Sequence, residues 1–286
     1  MTKQAQKHPL TWFFTLTFAA TWGLCSFLLV NSKPDALQSI SPAFIIIAIC
    51  SGLVPSVAAC LLALMRGEAK SLFAQVKTGS FWRFTPALLL IVPAATIISY
   101  LLSSPLKMHL NTPQLVMGLV WPLFSSFGEE FGWRGFALPK LIKQRGFTYA
   151  ALSIGLIWGL WHLPMDYIGL RSHGWLFIPE FILVGPAILT AHSIIMAYFY
   201  VRSNGNLLLM IAYHYTITAS AIILPGLFAT SEAVGLANLL QPLLANVLLW
   251  IPAGFILWKR PEVGSQRTED RNQRSGIREP AEGSVR

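Results

Sequence analysis

Eight apolar stretches, each long enough to cross a lipid bilayer, divide this chain: Leu10–Val30, Pro42–Met65, Pro86–Leu102, Leu115–Leu141, Thr148–Ile168, Glu180–Val201, Asn206–Leu224 and Leu236–Trp258. A helix needs about 20 predominantly apolar residues to span the hydrocarbon core. Their number and length predict an all-α, polytopic integral membrane protein of eight transmembrane helices. Composition agrees: only 12% of the residues are charged and 54% are apolar, with 18 Phe and 10 Trp. A soluble domain carries about 25% charged residues.

The net charge of +9 is a matter of placement. With the N-terminus inside, eighteen of the 21 bases fall on inside segments. These are Lys3 and Lys7, then Arg66, Lys70, Lys77 and Arg83, then Arg134, Lys140, Lys143 and Arg145, then Arg202, and all those from Lys259 onward. Only Lys33, Lys107 and Arg171 fall outside. That is the charge bias of cytoplasmic loops, so a nucleic-acid partner is excluded and a cell-membrane protein with both termini cytoplasmic is expected. An odd number of helices would break the alternation.

The expected organisation is a membrane domain over 1–258 and a polar, disordered cytoplasmic tail over 259–286. Leu10–Val30 is longer than a signal-peptide core and no small-x-small cleavage site follows it, so it is expected to stay as the first helix. Cys25, Cys50 and Cys60 all fall in apolar spans and form no CxxC pair, which makes them small packing residues. No internal repeat is visible. The stretch Gly169–Ile178 is expected to be a short outer loop, after which Pro179 opens the next helix with Glu180 in its first turn.

Within this apolar frame the acids are few. Between Thr85 and Trp258 they are Glu129, Glu130, Asp166, Glu180 and Glu232. Placing one ionisable group at the centre of a membrane helix costs about 2.5–3.5 kcal/mol on insertion scales, and two adjacent ones need a reason. A carboxylate withdrawn from water is what a general base near neutral pH calls for. Arg134 follows Glu130 by one helical turn and can pair with it. The same pattern also fits a plain Glu–Arg clamp without chemistry.

Other ionisable groups lie in neighbouring stretches. The fifth carries Trp158-Gly159-Leu160-Trp161-His162-Leu163-Pro164. Pro164 cannot donate to the Leu160 carbonyl, so the helix is loosened beside His162. The seventh carries His214, with Thr218 one turn later on the same face. His192 in the sixth is expected to make an interhelical hydrogen bond. Asp166, one turn beyond His162, is expected to orient that ring or to face the outer loop. Turns near Gly146 and Asn204 make two hairpins. Glu129 lies 17 residues before Gly146 and His162 lies 16 after it, so the two stand level. His214 and His192 lie 10 and 12 residues from Asn204. At 1.5 Å per residue, all reach one depth if the first hairpin projects about 10 Å into the cytoplasm. Glu129 or Glu130, His162 and His214 can then share one chamber.

These residues carry a resemblance. Glu129-Glu130-Phe131-Gly132-Trp133-Arg134, the Trp158…His162 pair and His214 resemble the three signatures of the CPBP family, the CAAX-protease and bacteriocin-processing intramembrane proteins. The match covers about 115–220. It departs once, with Thr218 standing where the family has Asn; a hydroxyl can polarise a carbonyl, though less well than an amide. The resemblance implies a CAAX-protease-like bundle with a cytoplasm-facing cavity and an intramembrane endopeptidase acting on a peptide or protein substrate at the lipid bilayer. It implies Glu129 as the base activating a water held with His162, and His214 with Thr218 as the oxyanion site. Glu130 and Arg134 would shape the first motif. Such chemistry is self-consistent, since a buried carboxylate can move the proton and fixed donors can stabilise the oxyanion.

Three alternatives stand beside this reading. Glu129, His162 and His214 are also a ligand set for zinc with an open position, so zinc is a candidate cofactor. A non-catalytic immunity or scaffold protein of the same family is the second, prompted by Thr218. A transporter using Glu and His as a proton relay is the third, disfavoured by the lack of repeated halves. HExxH and GxSxG are both missing, which excludes zincins and serine-elbow hydrolases by pattern.

Overall fold

The computed structural model describes residues 7–31, 42–79, 81–104, 106, 112–228 and 239–259. The expected disordered tail lies outside the described residues except for Lys259, which ends the last helix. Lys3, Lys33, Lys107 and Glu232 also lie outside them.

All eight apolar stretches are helical where described. The helices are α1 (Pro9–Asn31), α2 (Pro42–Met65), the short α3 (Ala69–Phe73), α4 (Phe81–Ser103), α5 (Thr112–Glu130), α6 (Leu138–Arg145), α7 (Phe147–Trp161), α8 (Leu163–Leu170), α9 (Phe177–Ile182), α10 (Ile188–Arg202), α11 (Leu207–Ile223) and α12 (Leu240–Lys259). The described residues form no strand, only one isolated bridge between Leu106 and Phe228. Six helical segments are long and apolar enough to cross a membrane, one of them a 40-residue run over Leu163–Arg202. The fold is thus an all-α, multi-pass membrane protein. The fourth and fifth stretches are helical but are not among these six; the α-helix of the fifth, Phe147–Trp161, is too short to span by itself.

Interruptions of the α-structure in these two stretches have local causes. After Glu130 the chain widens into a π-helix over Phe131–Ala137 before α6 continues the rod. The wider turn leaves carbonyls for side chains: Ser56 donates to the Phe127 carbonyl at 2.9 Å, and Gln75 donates to that of Gly135 at 2.9 Å. π-turns of this kind are frequent at functional sites. Between α7 and α8 the break falls at His162, as Pro164 requires. The His162 amide bonds to the Gly159 carbonyl at 3.2 Å, a tighter turn, and the Trp158 carbonyl is left for another donor. The hairpin turns fall where the sequence put them. Gly146 has φ +81°, and Asn204 and Gly205 have φ +58° and +73°.

The fold departs from expectation after α8. Gly169–Ile178 is more ordered than an open loop: 3-10 turns within Arg171–Leu176, broken by a kink at Gly174 (φ +61°), join α8 to α9. Glu180 is buried there and accepts a hydrogen bond from His173 Nδ1, which supplies the partner that a helix terminus was expected to give.

Two close helix crossings hold the centre of the bundle, and both rest on glycines four apart. Gly128 and Gly132 flank the glutamate pair and lie directly on the α2 backbone. A Cβ on Gly128 would sit 2.5 Å from the Gly52 carbonyl oxygen, and one on Gly132 would sit 2.7 Å from the Pro55 backbone. On the far side of the site, a Cβ on Gly155 would sit 2.4 Å from Thr190 Cα, and one on Gly159 2.4 Å from Pro186 Cα. Small residues let membrane helices approach where no hydrophobic force drives them together. Gly132→Val is therefore expected to push α2 away and destabilise the protein by at least the roughly 1–3 kcal/mol of an overpacked core, since backbone cannot yield as a side chain does. Thermal unfolding in detergent checks this, with Gly254→Val, which meets open space, as the neutral comparison.

Candidate active site

The polar groups of the bundle centre fall into an outer and an inner set. The inner set is closed to the membrane and to water. Glu130 and Arg134 are fully buried and form a salt bridge of 2.7 Å one helical turn apart. The same carboxylate oxygen, Glu130 Oε1, accepts from His214 Nδ1 at 2.8 Å. Arg134 also lies flat over Trp158, its guanidinium carbon 4.1 Å from the ring centroid.

The outer set lines a cavity of about 150 Å³, walled by α1, α2, α5, α7, α8 and α11. Glu129, His162, His214 and Thr218 all border it, together with Ser125 and Cys25. This volume is large enough to hold several waters. Glu129 Oε2 accepts from the Trp158 indole at 2.6 Å. Ser125 donates to Thr218 Oγ1 at 3.3 Å, which leaves the Thr218 hydroxyl proton for a further acceptor.

The two ring tautomers follow from their partners. A carbonyl only accepts, so the 2.9 Å contact between His162 Nδ1 and the Trp158 carbonyl places a proton on Nδ1. Neutral His162 therefore carries a lone pair on Nε2. Glu130 is likewise acceptor-only when ionised, so His214 Nδ1 donates to it. His214 is a donor at Nε2 only as an imidazolium.

Trp158 is the residue that sequence reasoning undervalued. It was visible only as the aromatic of a motif, yet its indole holds Glu129, its carbonyl holds His162, and its ring packs on Arg134 and on His214 at 5.2 Å. Ser125 was missed outright, and a lone serine in an apolar helix gives no signal before its neighbours are known. Cys25 enters the cavity wall with its thiol 3.7 Å from the Ser51 hydroxyl. Two residues stay apart from the cavity. His192 bonds Tyr213 at 3.0 Å between α10 and α11, the interhelical role expected of it. Asp166 sits one turn beyond His162, but the Trp158 carbonyl orients the ring.

Trp158→Phe is expected to leave Glu129 Oε2 without its donor while keeping most of the packing. The cost is about 1–3 kcal/mol in stability, as for any buried acceptor left unmade. Thermal unfolding of Trp158→Phe against wild type measures it.

Residues 111–220 match the family model described as type II CAAX prenyl endopeptidase Rce1-like. That segment, a little over a third of the chain, is similar to the Rce1-like family. The matched segment begins at α5 and ends in α11, so it holds every residue of the inner set and all of the outer set except those on α1 and α2. The chain is also 24% identical over 149 residues to CAAX prenyl protease 2 of Methanococcus maripaludis, an alignment covering 46% of this chain and 53% of that protein. The chain thus spans about half the length of the curated relative it matches.

The zinc alternative meets a geometric test. Among the described residues no three His, Cys, Asp or Glu side chains stand together as a metal-ligand group, and this includes Glu129, His162 and His214. As placed, the trio does not fit zinc.

Proposed function

We propose that this protein is a member of the Rce1-like family and an intramembrane endopeptidase that hydrolyses a peptide bond of a membrane-associated substrate. The reading rests on one observation: Glu129, His162, His214 and Thr218 border a single cavity at the centre of an apolar bundle. Each has a free function to offer. Glu129 Oε1 is the carboxylate oxygen not taken by Trp158, and it removes a proton from water. His162 Nε2 accepts a hydrogen bond from the remaining O–H, so the oxygen lone pair faces the scissile carbonyl. Attack gives a tetrahedral oxyanion, which receives hydrogen bonds from His214 Nε2–H and the Thr218 hydroxyl. Glu129 then delivers its proton to the leaving amine as the C–N bond breaks.

The role of His214 as oxyanion donor calls for a proton on Nε2 while Nδ1 donates to Glu130. Glu130 is not the base in this scheme. Shared between Arg134 and His214, it holds the oxyanion donor in place. Thr218 offers one hydroxyl, and Ser125 orients it.

Access comes from the bilayer. A second, apolar crevice of about 640 Å³ lies between α2 and α5, and it shares Ile49, Trp121 and Phe124 with the small cavity. A substrate carrying a lipid or an apolar segment reaches the site through this side opening. The charge bias of the loops puts the Gly146 and Asn204 turns and both termini on the cytoplasmic side of the cell membrane. The name of the Methanococcus relative points to a CAAX-terminated prenylated peptide as the first probe.

The test is cleavage of a fluorogenic farnesylated CAAX peptide, and of a panel of acylated and transmembrane peptides, by purified protein in nanodiscs. Turnover of any of these with one new C-terminus supports the reading. No turnover across the panel by monodisperse, correctly folded protein overturns it in favour of a non-catalytic membrane protein.

A further inference from the structure

A larger cavity lies at the other end of the π-helix from the reacting groups. It measures about 750 Å³ and is formed where α2, α3, α6 and the α10–α11 turn end together. That volume is within the roughly 300–1,000 Å³ usual for small-ligand sites. Four of its lining residues are cations, Arg66, Lys77, Lys140 and Lys143, against a single acid, Glu68. Glu68 is fully engaged: one oxygen accepts from Arg66 Nε at 2.8 Å and the other from Lys140 Nζ at 2.8 Å. The lining therefore keeps a surplus of positive charge.

Two of the lysines are held rather than free to sweep through solvent. Lys140 is fixed by Glu68 and by the Phe136 ring, 4.0 Å from its ammonium. Lys77 donates to the Asn204 carbonyl at 2.9 Å. An ammonium has three donors, so each keeps protons to give to a ligand. Lys143 is exposed and forms no ion pair among the described residues. The remaining wall includes Pro9, Ala63 and Leu72, which are apolar. A cavity at helix ends whose lining combines cations with apolar side chains matches the junction between a phosphate headgroup and its acyl chains.

We infer that this cavity binds the phosphodiester headgroup of an anionic glycerophospholipid, held by Lys77, Lys140 and Lys143. Basic recesses between membrane helices on the cytoplasmic side bind such headgroups. The inference rests on the orientation given above but not on peptidase activity. The cavity also borders the machinery. Gly135 and Phe136 of the π-helix form part of its wall, and Gln75 joins the Gly135 carbonyl to the Tyr200 hydroxyl, which donates to Gln75 at 2.7 Å. A bound headgroup would thus brace the turn that carries Arg134.

The test counts lipids without measuring turnover. Protein is exchanged into micelles holding equal phosphatidylglycerol and phosphatidylcholine, repurified, and its retained lipid is weighed by native mass spectrometry. Wild type is expected to retain phosphatidylglycerol in preference to phosphatidylcholine, with the preference falling about fivefold for each of Lys77→Gln, Lys140→Gln and Lys143→Gln. Arg83→Gln and Arg202→Gln, at the same end but outside the cavity, should keep the wild-type preference. The Lys77→Gln/Lys143→Gln pair leaves the Glu68 clasp intact and carries the test if Lys140→Gln fails to fold. Equal retention of both lipids by wild type overturns the inference, as does an equal loss in the Arg83 and Arg202 variants. Displacement of the lipid by equimolar glycerol phosphate also overturns it, since the site would then belong to a free anion.

Discussion

Glu129→Gln is expected to lower peptide turnover by about 10²–10⁴-fold, the usual contribution of a positioned general base. The substitution keeps the size of the side chain and can still accept the Trp158 indole hydrogen bond that holds Glu129 at 2.6 Å. What it removes is the ability to take a proton from water. The loss should therefore appear in kcat, with KM for the probe peptide little changed, because the amide leaves the cavity wall intact. Glu129→Asp should fall between the two, since it keeps the base but draws it back from the water. The measurement is steady-state cleavage of the fluorogenic peptide, with unfolding temperature recorded for each variant. A Glu129→Gln protein that folds normally and turns over at the wild-type rate would remove Glu129 from the chemistry.

Arg134→Leu is expected to do its damage to the fold. Arg134 and Glu130 are both fully buried, and their 2.7 Å ion pair is the support of the inner set. Removing one partner of a buried pair costs about 3–5 kcal/mol, because the other charge stays behind without compensation. Glu130 would keep only its bond to His214. A loss of that size is a large part of a typical protein's total stability of about 5–15 kcal/mol. The single variant should aggregate in detergent or unfold well below wild type. The double variant Glu130→Leu/Arg134→Leu should recover part of the loss, since no charge is left unpaired and the two sites couple directly. It should not recover turnover, because His214 would lose the carboxylate that holds it. A wild-type unfolding temperature in Arg134→Leu would contradict this account of the inner set.

The residues that set the fold were legible because the membrane makes the signal coarse. Apolar length located the helices, and the turns expected near Gly146 and Asn204 are where the chain takes the positive φ that Gly and Asn tolerate. The interruptions were legible only in part. Pro164 announced the break at His162 because proline lacks an amide proton. The π-turn after Glu130 has no such marker in the sequence, although Gly128 and Gly132 beside it lie directly on the α2 backbone. The site reads the same way. Glu129, Glu130, His162 and His214 stood out because ionisable residues are expensive in an apolar span. Trp158 and Ser125 did not, since both are unremarkable in a membrane helix until their partners are known. The outer turn is more ordered than its sequence suggests, because His173 and Glu180 satisfy each other across it, but the chain does break at Gly174, where φ is +61°.

The most direct test of the proposed chemistry is turnover by wild-type protein after exhaustive treatment with a strong chelator, with metal content followed by mass spectrometry. Glu129 acting on water through its own carboxylate predicts unchanged cleavage of the probe peptide in the metal-stripped protein, and no gain on adding zinc. Cleavage lost with the chelator and restored by stoichiometric zinc would contradict it, and would make Glu129, His162 and His214 ligands in a rearranged cavity.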